Sequence, residues 1–293
     1  MVSGLLLGGL YGLIAVGLNL QYGLMRVLNV AHGEFLMIGG YITYTLHVGL
    51  GVHPLLAMLA TGPLAFGLGV AVHALLFRRL LRLDRSREEL EANSLLLSFG
   101  LLFILQNAAL LIWSADLKGY AYLDRPLRLG ELVLPANRVL AFALAAALTV
   151  ILFGFLRFTL AGTAVRALMQ DPVGVRLMGA PVPRLHGIAF GVGVALAAMS
   201  GALVSMLFEL TPFVGLPYTI TALVVIILGG LGSMGGSLLG GLILGVVESL
   251  GVHFTAPDLR MAISYGVLAL ILVLRPYGLF NASSQRPDQA THA

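Results

Sequence analysis

Apolar runs of bilayer length alternate with short polar breaks along the whole 293-residue chain. They fall near residues 1–24, 28–49, 54–77, 93–113, 139–159, 185–208, 217–231, 236–254 and 261–275. About 20 apolar residues span the hydrocarbon, so the pattern predicts eight or nine membrane-crossing helices. Continuous runs such as 95–113 and 140–156 exclude barrel strands, whose alternating segments are about 10 residues long. The count stays open at residues 219–244, where Gly229, Gly230, Gly232, Gly235, Gly236, Gly240 and Gly241 interrupt the run. That segment is either two short helices or one helix broken at membrane depth and buried against its neighbours. The expected architecture is an all-α polytopic membrane protein with one or two broken or re-entrant glycine-rich segments. Residues 1–275 form the membrane domain and 276–293 a flexible tail. The N-terminus has no charged region and no cleavage site, and reads as a retained first helix.

The sharpest polar break is Asn29-Val-Ala-His-Gly-Glu34, set between two apolar runs. Ionisable groups at such depth are costly and persist where function or packing holds them. A helix starting near His32 would present free N–H groups and the positive end of its dipole. Asn29 is placed to cap it and Glu34, in its first turn, to supply the counter-charge. Two roles follow. The break lines a pathway and moves when it opens, or Asn29, His32 and Glu34 satisfy one another and a neighbouring helix to hold a fixed bend. A carboxylate beside the path would repel an anionic substrate, which favours the clamp for Glu34. An apolar run, a break and a glycine-paired helix recur around residues 229–241. Matched, glycine-interrupted segments in two halves of a chain point to a translocation site. The alternative is plain helix packing through Gly236, Gly240, Gly241 and Gly245.

Composition agrees with the pattern: 59% of residues are hydrophobic and 10% charged, with a mean hydropathy of +0.98. Arginine supplies all but one of the 17 basic residues. Arg78, Arg79, Arg82, Arg85 and Arg87 make the 78–91 loop cytoplasmic, and Arg157, Arg166, Arg176 and Arg184 do the same for the loop near 160–184. The C-terminal tail falls on the same side. The 114–138 segment carries four basic residues, yet the number of crossings puts it outside. Within 160–184, Asp171 can cap a helix whose first residue is Pro172, and Gly179 with Pro181 and Pro183 ends it. A short rigid helix flanked by Arg166, Arg176 and Arg184 suits a docking knob for a partner subunit.

Several chemistries drop out. The chain has no cysteine, which removes disulfides, thiol catalysis and cysteine-ligated metals. His47, His53, His73 and His186 fall singly near helix ends, and no histidine pair has metal-ligand spacing. Ser200 and His253 would make a catalytic pair only if two separate helices met. Gly230 to Gly235 fits a dinucleotide fingerprint but lies between membrane helices without the acidic residue expected about 20 positions on. The single lysine, Lys118, is not in a phosphate-binding loop, so any ATP is bound by a partner. The net charge of +4 is spread over loops, which gives a nucleic-acid role no support.

Tyr11-Gly-Leu-Ile-Ala-Val-Gly-Leu18, Tyr22-Gly-Leu24, Leu28-Asn-Val-Ala-His-Gly-Glu34, Gly162-Thr-Ala-Val-Arg-Ala167 with Asp171 and Gly179, and Leu228-Gly-Gly-Leu-Gly-Ser-Met-Gly-Gly236 with Gly240, Gly241 and Glu248 carry a resemblance. Along nearly its whole length the chain resembles the permease subunits of ABC importers for branched-chain amino acids, and looks more like the first of the two permease types. The resemblance implies a second homologous permease, two cytoplasmic ATP-binding subunits and an extracytoplasmic substrate-binding protein in a bacterial or archaeal cytoplasmic membrane. It implies no catalytic residue, metal or cofactor in this chain. Asn29, His32, Gly33, Glu34, Gly229, Gly230, Gly232, Gly235 and Gly236 would then line or gate the path. Arg166, Asp171, Pro172, Arg176 and Gly179 would dock an ATP-binding subunit. Residues 114–138 match the family poorly, and the first helix lacks the family's usual short leader. The competing class, a stand-alone secondary transporter or channel, calls for buried ionisable relays, for which only Glu34 and Glu248 qualify.

Overall fold

The most fully buried helix of the protein is its first. In the computed structural model, which describes residues 1–83, 86–129, 132–256, 259–275 and 278–279, α1 (Val2–Met25) has 21 of its 24 residues buried. Lipid tails are as apolar as leucine, so membrane helices associate where small residues let backbones approach. Gly4, Gly8 and Gly12 form such a row on α1. They meet Gly245, Gly241 and Leu238 of α11 (Met234–Phe254), and a methyl group on Gly8 would sit 2.7 Å from the Gly241 carbonyl oxygen.

The second interior helix is α9 (Val182–Ser205), and it uses the same device on three sides. Gly193 lies against Gly17 of α1. Gly201 faces Leu36 and Gly40 of α2 (His32–Tyr44), which a π turn, Thr45–Gly49, extends. Gly191 and Val194 meet α3 (Pro54–Val72) at Phe66, Gly69 and Val70. A second π turn, His73–Phe77, carries α3 into α4 (Arg78–Leu83). The long α5 (Arg87–Trp113) and α6 (Ala136–Phe158) lie outside this core, with Leu96, Ile104, Leu111, Val150 and Ile151 exposed. Trp113 ties α5 to α2 by stacking on Tyr41 at 4.8 Å and donating to Thr45 Oγ1 at 2.9 Å. Two short helices, α7 (Leu160–Gln170) and α8 (Pro172–Leu177), follow α6. Then α10 (Gly215–Gly229) and α12 (Arg260–Leu274) pack on α11.

Among the described residues six helices are long and apolar enough to cross a membrane, and α10 and α12 are shorter apolar helices. The protein is a multi-pass helical membrane protein, but the expected eight or nine crossings are not all of full length. The run expected from residue 28 starts as a helix only at His32, and Val214 and Gly230 bound α10 to 15 residues. The glycine-rich stretch resolves into two helices, of which α11 is long, and not into one broken helix. The expected loops shrink as well: α4 and α5 cover most of 78–91, and α7 and α8 most of 160–184.

The all-α fold carries one small strand pair. Strands β1 (Pro126–Leu129) and β2 (Leu132–Pro135) form an antiparallel hairpin, Pro126 opposite Pro135 and Leu129 opposite Leu132. Beside it Lys118 and Leu210 exchange backbone hydrogen bonds of 3.0 and 2.7 Å, joining the segment after α5 to the one after α9. The hairpin and α8 lie at opposite ends of α6. Residues 276–293, the expected tail, lie outside the described residues apart from 278–279, as does Arg85.

Candidate functional site

Both glycine-bearing breaks hang on α1. The connection from Arg26 to Ala31 is irregular and largely buried, so its backbone groups need partners other than water. Side-chain hydroxyls provide them. Ser94 Oγ accepts the Leu28 N–H at 3.2 Å and Ser98 Oγ donates to the Leu28 carbonyl at 3.1 Å. Thr219 Oγ1, from α10, accepts the Gly33 N–H at 2.8 Å and donates to the Val30 carbonyl at 3.0 Å. Asn29 is no helix cap. The N-cap position belongs to Ala31, which makes no side-chain bond, and Asn29 Nδ2 donates to Gln21 Oε1 at 3.0 Å. Gln21 in turn reaches the Phe190 carbonyl of α9 at 3.3 Å. His32 Nε2 donates to the Ile14 carbonyl at 3.1 Å.

The three polar residues of the hexapeptide therefore do not satisfy one another: Asn29 and His32 both bond α1, and Glu34 packs on α10. Glu34 is fully buried, and neither carboxylate oxygen has a hydrogen-bond partner. It sits in the first turn of α2 and against Gly215, the first residue of α10; a methyl group on Gly215 would fall 2.5 Å from the Glu34 carboxylate carbon. Two helix N-termini, each carrying a partial positive charge, thus face one side chain. Gly33 packs as tightly on the same residue of α10.

The second break is a turn, residues 230–233, between α10 and α11. Gly230 and Gly232 have φ of +95° and +87°, a conformation that glycine adopts without strain. Gly229 and Gly236 face each other with no room for a side chain on either, whereas Gly235 has nothing within 4 Å. Asn19 of α1 holds the turn: its Oδ1 accepts the Gly232 N–H and its Nδ2 donates to Ser233 O and Ser237 Oγ. Asn19, Gln21, Gly215 and Thr219 were not among the expected site residues. The signal for the first two was present, since amides are rare in a buried apolar helix.

The two breaks were expected to be counterparts. The bend at 26–31 packs on the start of α10, the turn at 230–233 follows its end, and α1 touches both. They are joined through α1 and α10.

Glu248, the other buried carboxylate, is held from two helices. Tyr11 of α1 donates to it at 2.9 Å, and Ser264 of α12 donates to its other oxygen. It borders a pocket of about 330 Å³ with Tyr218, Phe213, Arg260 and Tyr265. At the hairpin end a larger pocket of about 520 Å³ is lined by Leu117, residues 119–122, Asp124, Asn137 and residues 206–209. Tyr120 shares a 3.0 Å hydrogen bond with Ser205 there, and burial raises its pKa above the ordinary phenol value.

At the opposite end α8 has the form the sequence predicts. Asp171 Oδ1 accepts the N–H groups of Val173 and Gly174, both at 3.0 Å, Pro172 is the first helical residue, and Gly179 follows at a φ of +76°. Val173, Leu177 and Met178 are 64%, 83% and 88% exposed and form an apolar tip. Arg166, on α7, reaches the Arg157 carbonyl at 3.5 Å. Ser200 donates to the Leu196 carbonyl of its own helix and does not pair with His253.

Comparison with known proteins bears on this arrangement. Residues 1–272 match the family described as "Branched-chain amino acid transport system / permease component". The "High-affinity branched-chain amino acid transport system permease protein BraD" of Pseudomonas aeruginosa is 31% identical, over 95% of this chain and 94% of that protein. The corresponding LivH of Escherichia coli K12 is 28% identical, over 95% and 94%. A probable LivH of the archaeon Methanocaldococcus jannaschii is 28% identical, over 91% and 87%. Among solved structures, a chain of "PsaBC from Streptococcus pneumoniae in complex with Fab" superposes with a TM-score of 0.52 over 95% of this chain and 92% of that one. At 10% identity this is a likeness of fold alone.

Proposed function

The chain belongs to the branched-chain amino acid transport permease family, and from that premise we infer that it forms half of the path by which a branched-chain or related small amino acid enters the cell. It is a membrane-embedded transport permease component of an ABC system and not an enzyme. A second homologous permease completes the path, two ATP-binding subunits hydrolyse ATP on the cytoplasmic side, and an extracytoplasmic protein delivers the substrate. The arginine-rich end, with α8 and the C-terminal tail, faces the cytoplasm. The shorter helices α2, α10 and α12 complete nine crossings.

The observation that carries this reading is α8. A capped, proline-bounded helix with an exposed apolar tip, flanked by Arg166 and Arg176, is a contact surface for another subunit. Closure of the ATP-binding subunits pushes α8, and the bend near Gly33 and the turn at Gly230 to Gly232 absorb the movement as the path alternates between its two faces. Residues 1–275 make up the permease domain, with 160–184 as its docking loop. The pocket beside the hairpin is the receptor's side. An apolar interior suits leucine, isoleucine or valine side chains.

Reconstitution with the cognate permease, ATP-binding subunits and receptor tests it. Labelled leucine uptake should require receptor outside and ATP inside. Uptake by this chain alone, independent of ATP, would instead establish a stand-alone transporter.

A further inference from the structure

One cavity takes no part in the path described above. It lies where α3 passes into α4 and α9 begins, holds about 310 Å³, and is lined by His73, Arg78, Leu81, Arg176, Val182 and His186 among others. None of its described lining residues is acidic. Neither arginine has an ion pair or side-chain hydrogen bond among the described residues. His73 is 2% exposed, and its Nε2 has no partner. Its ring stands edge-on to that of His186, with centroids 6.4 Å apart. Among the described residues, four nitrogen-bearing side chains, from the π turn after α3 and from α4, α8 and α9, are thus gathered without a counter-charge. A buried polar atom without a partner is costly, and uncompensated guanidinium groups favour an anion that several donors can share.

We propose that this cavity binds a phosphate group, carried by an acidic phospholipid headgroup or free in solution. Tetrahedral phosphate oxygens match the guanidinium fork, and the cavity is roomier than a bare anion needs. Arg78 lies in the last turn of the apolar span Pro54–Leu81, where a membrane helix nears the level of lipid phosphates, and Leu75 one turn earlier is 75% exposed. Bound phosphate would tie Arg176 of α8 to the ends of α3 and α9 and so fix the pose of α8. The binding does not depend on the docking role given to α8; only its consequence for coupling rests on that reading.

The test uses the assembled transporter in nanodiscs of phosphatidylcholine with or without phosphatidylglycerol, with bound lipid read by native mass spectrometry. Arg78→Gln with His186→Gln should lower retained phosphatidylglycerol about tenfold. Arg79→Gln, an exposed neighbour outside the cavity, should leave it unchanged. Arg78→Gln alone, at an exposed position, gives the same comparison if the pair fails to fold. Inorganic phosphate binding in phosphatidylcholine discs, lost in the variants, would identify free phosphate as the ligand and also support the site. Equal lipid retention in all variants together with no phosphate binding overturns it, as when a carboxylate of a docked subunit fills the cavity. Phosphate binding with no effect on ATP hydrolysis would support the site and count against the docking reading.

Discussion

Asn19 Oδ1 accepts the backbone N–H of Gly232 at 2.7 Å, across 213 positions of sequence. The same side chain donates to Ser233 O at 2.9 Å and Ser237 Oγ at 2.6 Å. One amide of the innermost helix therefore fixes the turn between α10 and α11. Asn19→Leu removes these bonds and leaves the Gly232 N–H without a partner, a loss of about 2–4 kcal/mol. A thermal scan of the purified protein in detergent should show the midpoint fall by roughly 5–10 °C. A change below about 1 °C would mean that the turn is held by other contacts.

The glycines of the two breaks are not equivalent, although the sequence motifs treat them alike. A methyl group on Gly33 would overlap the Gly215 backbone, and one on Gly229 would overlap Gly236. Gly232 has space but a φ of +87°, where alanine is strained by about 1–2 kcal/mol. Gly235 has space and no φ in that region. Alanine at 33 or 229 should sharply reduce the amount of folded protein recovered from membranes, alanine at 232 should reduce it mildly, and alanine at 235 should leave it unchanged. Losses at 235 equal to those at 33 would contradict a packing origin for the pattern.

What could be read from the chain beforehand divides along the range of the interactions. The cap at Asp171, the start at Pro172 and the stop at Gly179 are local, and each formed where residue chemistry places it. Asn29 looks like a cap on the same local grounds, yet Gln21 on the preceding helix takes its side chain. No propensity records that the two helices run close enough to compete. The pairing of Thr219 with both Val30 and Gly33 is likewise invisible, because threonine in an apolar run is ordinary and its partner lies some 190 residues earlier. Asn19 and Gln21 were legible as anomalies of polarity. Their partners were not, since these depend on which helices the glycine rows bring together.

Glu34 is buried without a hydrogen-bond partner between two helix N-termini. Each dipole contributes up to about 2 kcal/mol to a carboxylate in a favourable, partly buried geometry, and burial of the charge opposes that by a similar or larger amount. Glu34→Gln keeps the shape and drops the charge. Its thermal midpoint should equal or exceed that of the parent, and reconstituted uptake should stay within about twofold, because the balance of these terms is near zero. Loss of uptake in a normally assembled variant would assign the charge a part in transport. Gly215→Ala tests the same contact from the other side, and should destabilise by about 1–3 kcal/mol by pushing the carboxyl out of its place.

The cap on α8 allows a test in which shape and charge separate. Asp171 accepts two backbone N–H groups, and a six-residue helix has little else to hold its first turn. Asp171→Ala should cost about 1 kcal/mol of local stability, whereas Asp171→Asn keeps an acceptor of similar capping strength. If α8 transmits force between subunits, receptor-stimulated ATP hydrolysis in the reconstituted complex should fall about fivefold with alanine and recover with asparagine. Leu177→Ser, which leaves the cap alone but removes a side chain that is 83% exposed, should weaken retention of the ATP-binding subunits on a column. Full coupling in Asp171→Ala and normal retention in Leu177→Ser would together detach α8 from the role its form suggests. Asparagine failing where alanine fails would instead place the requirement on the negative charge of Asp171.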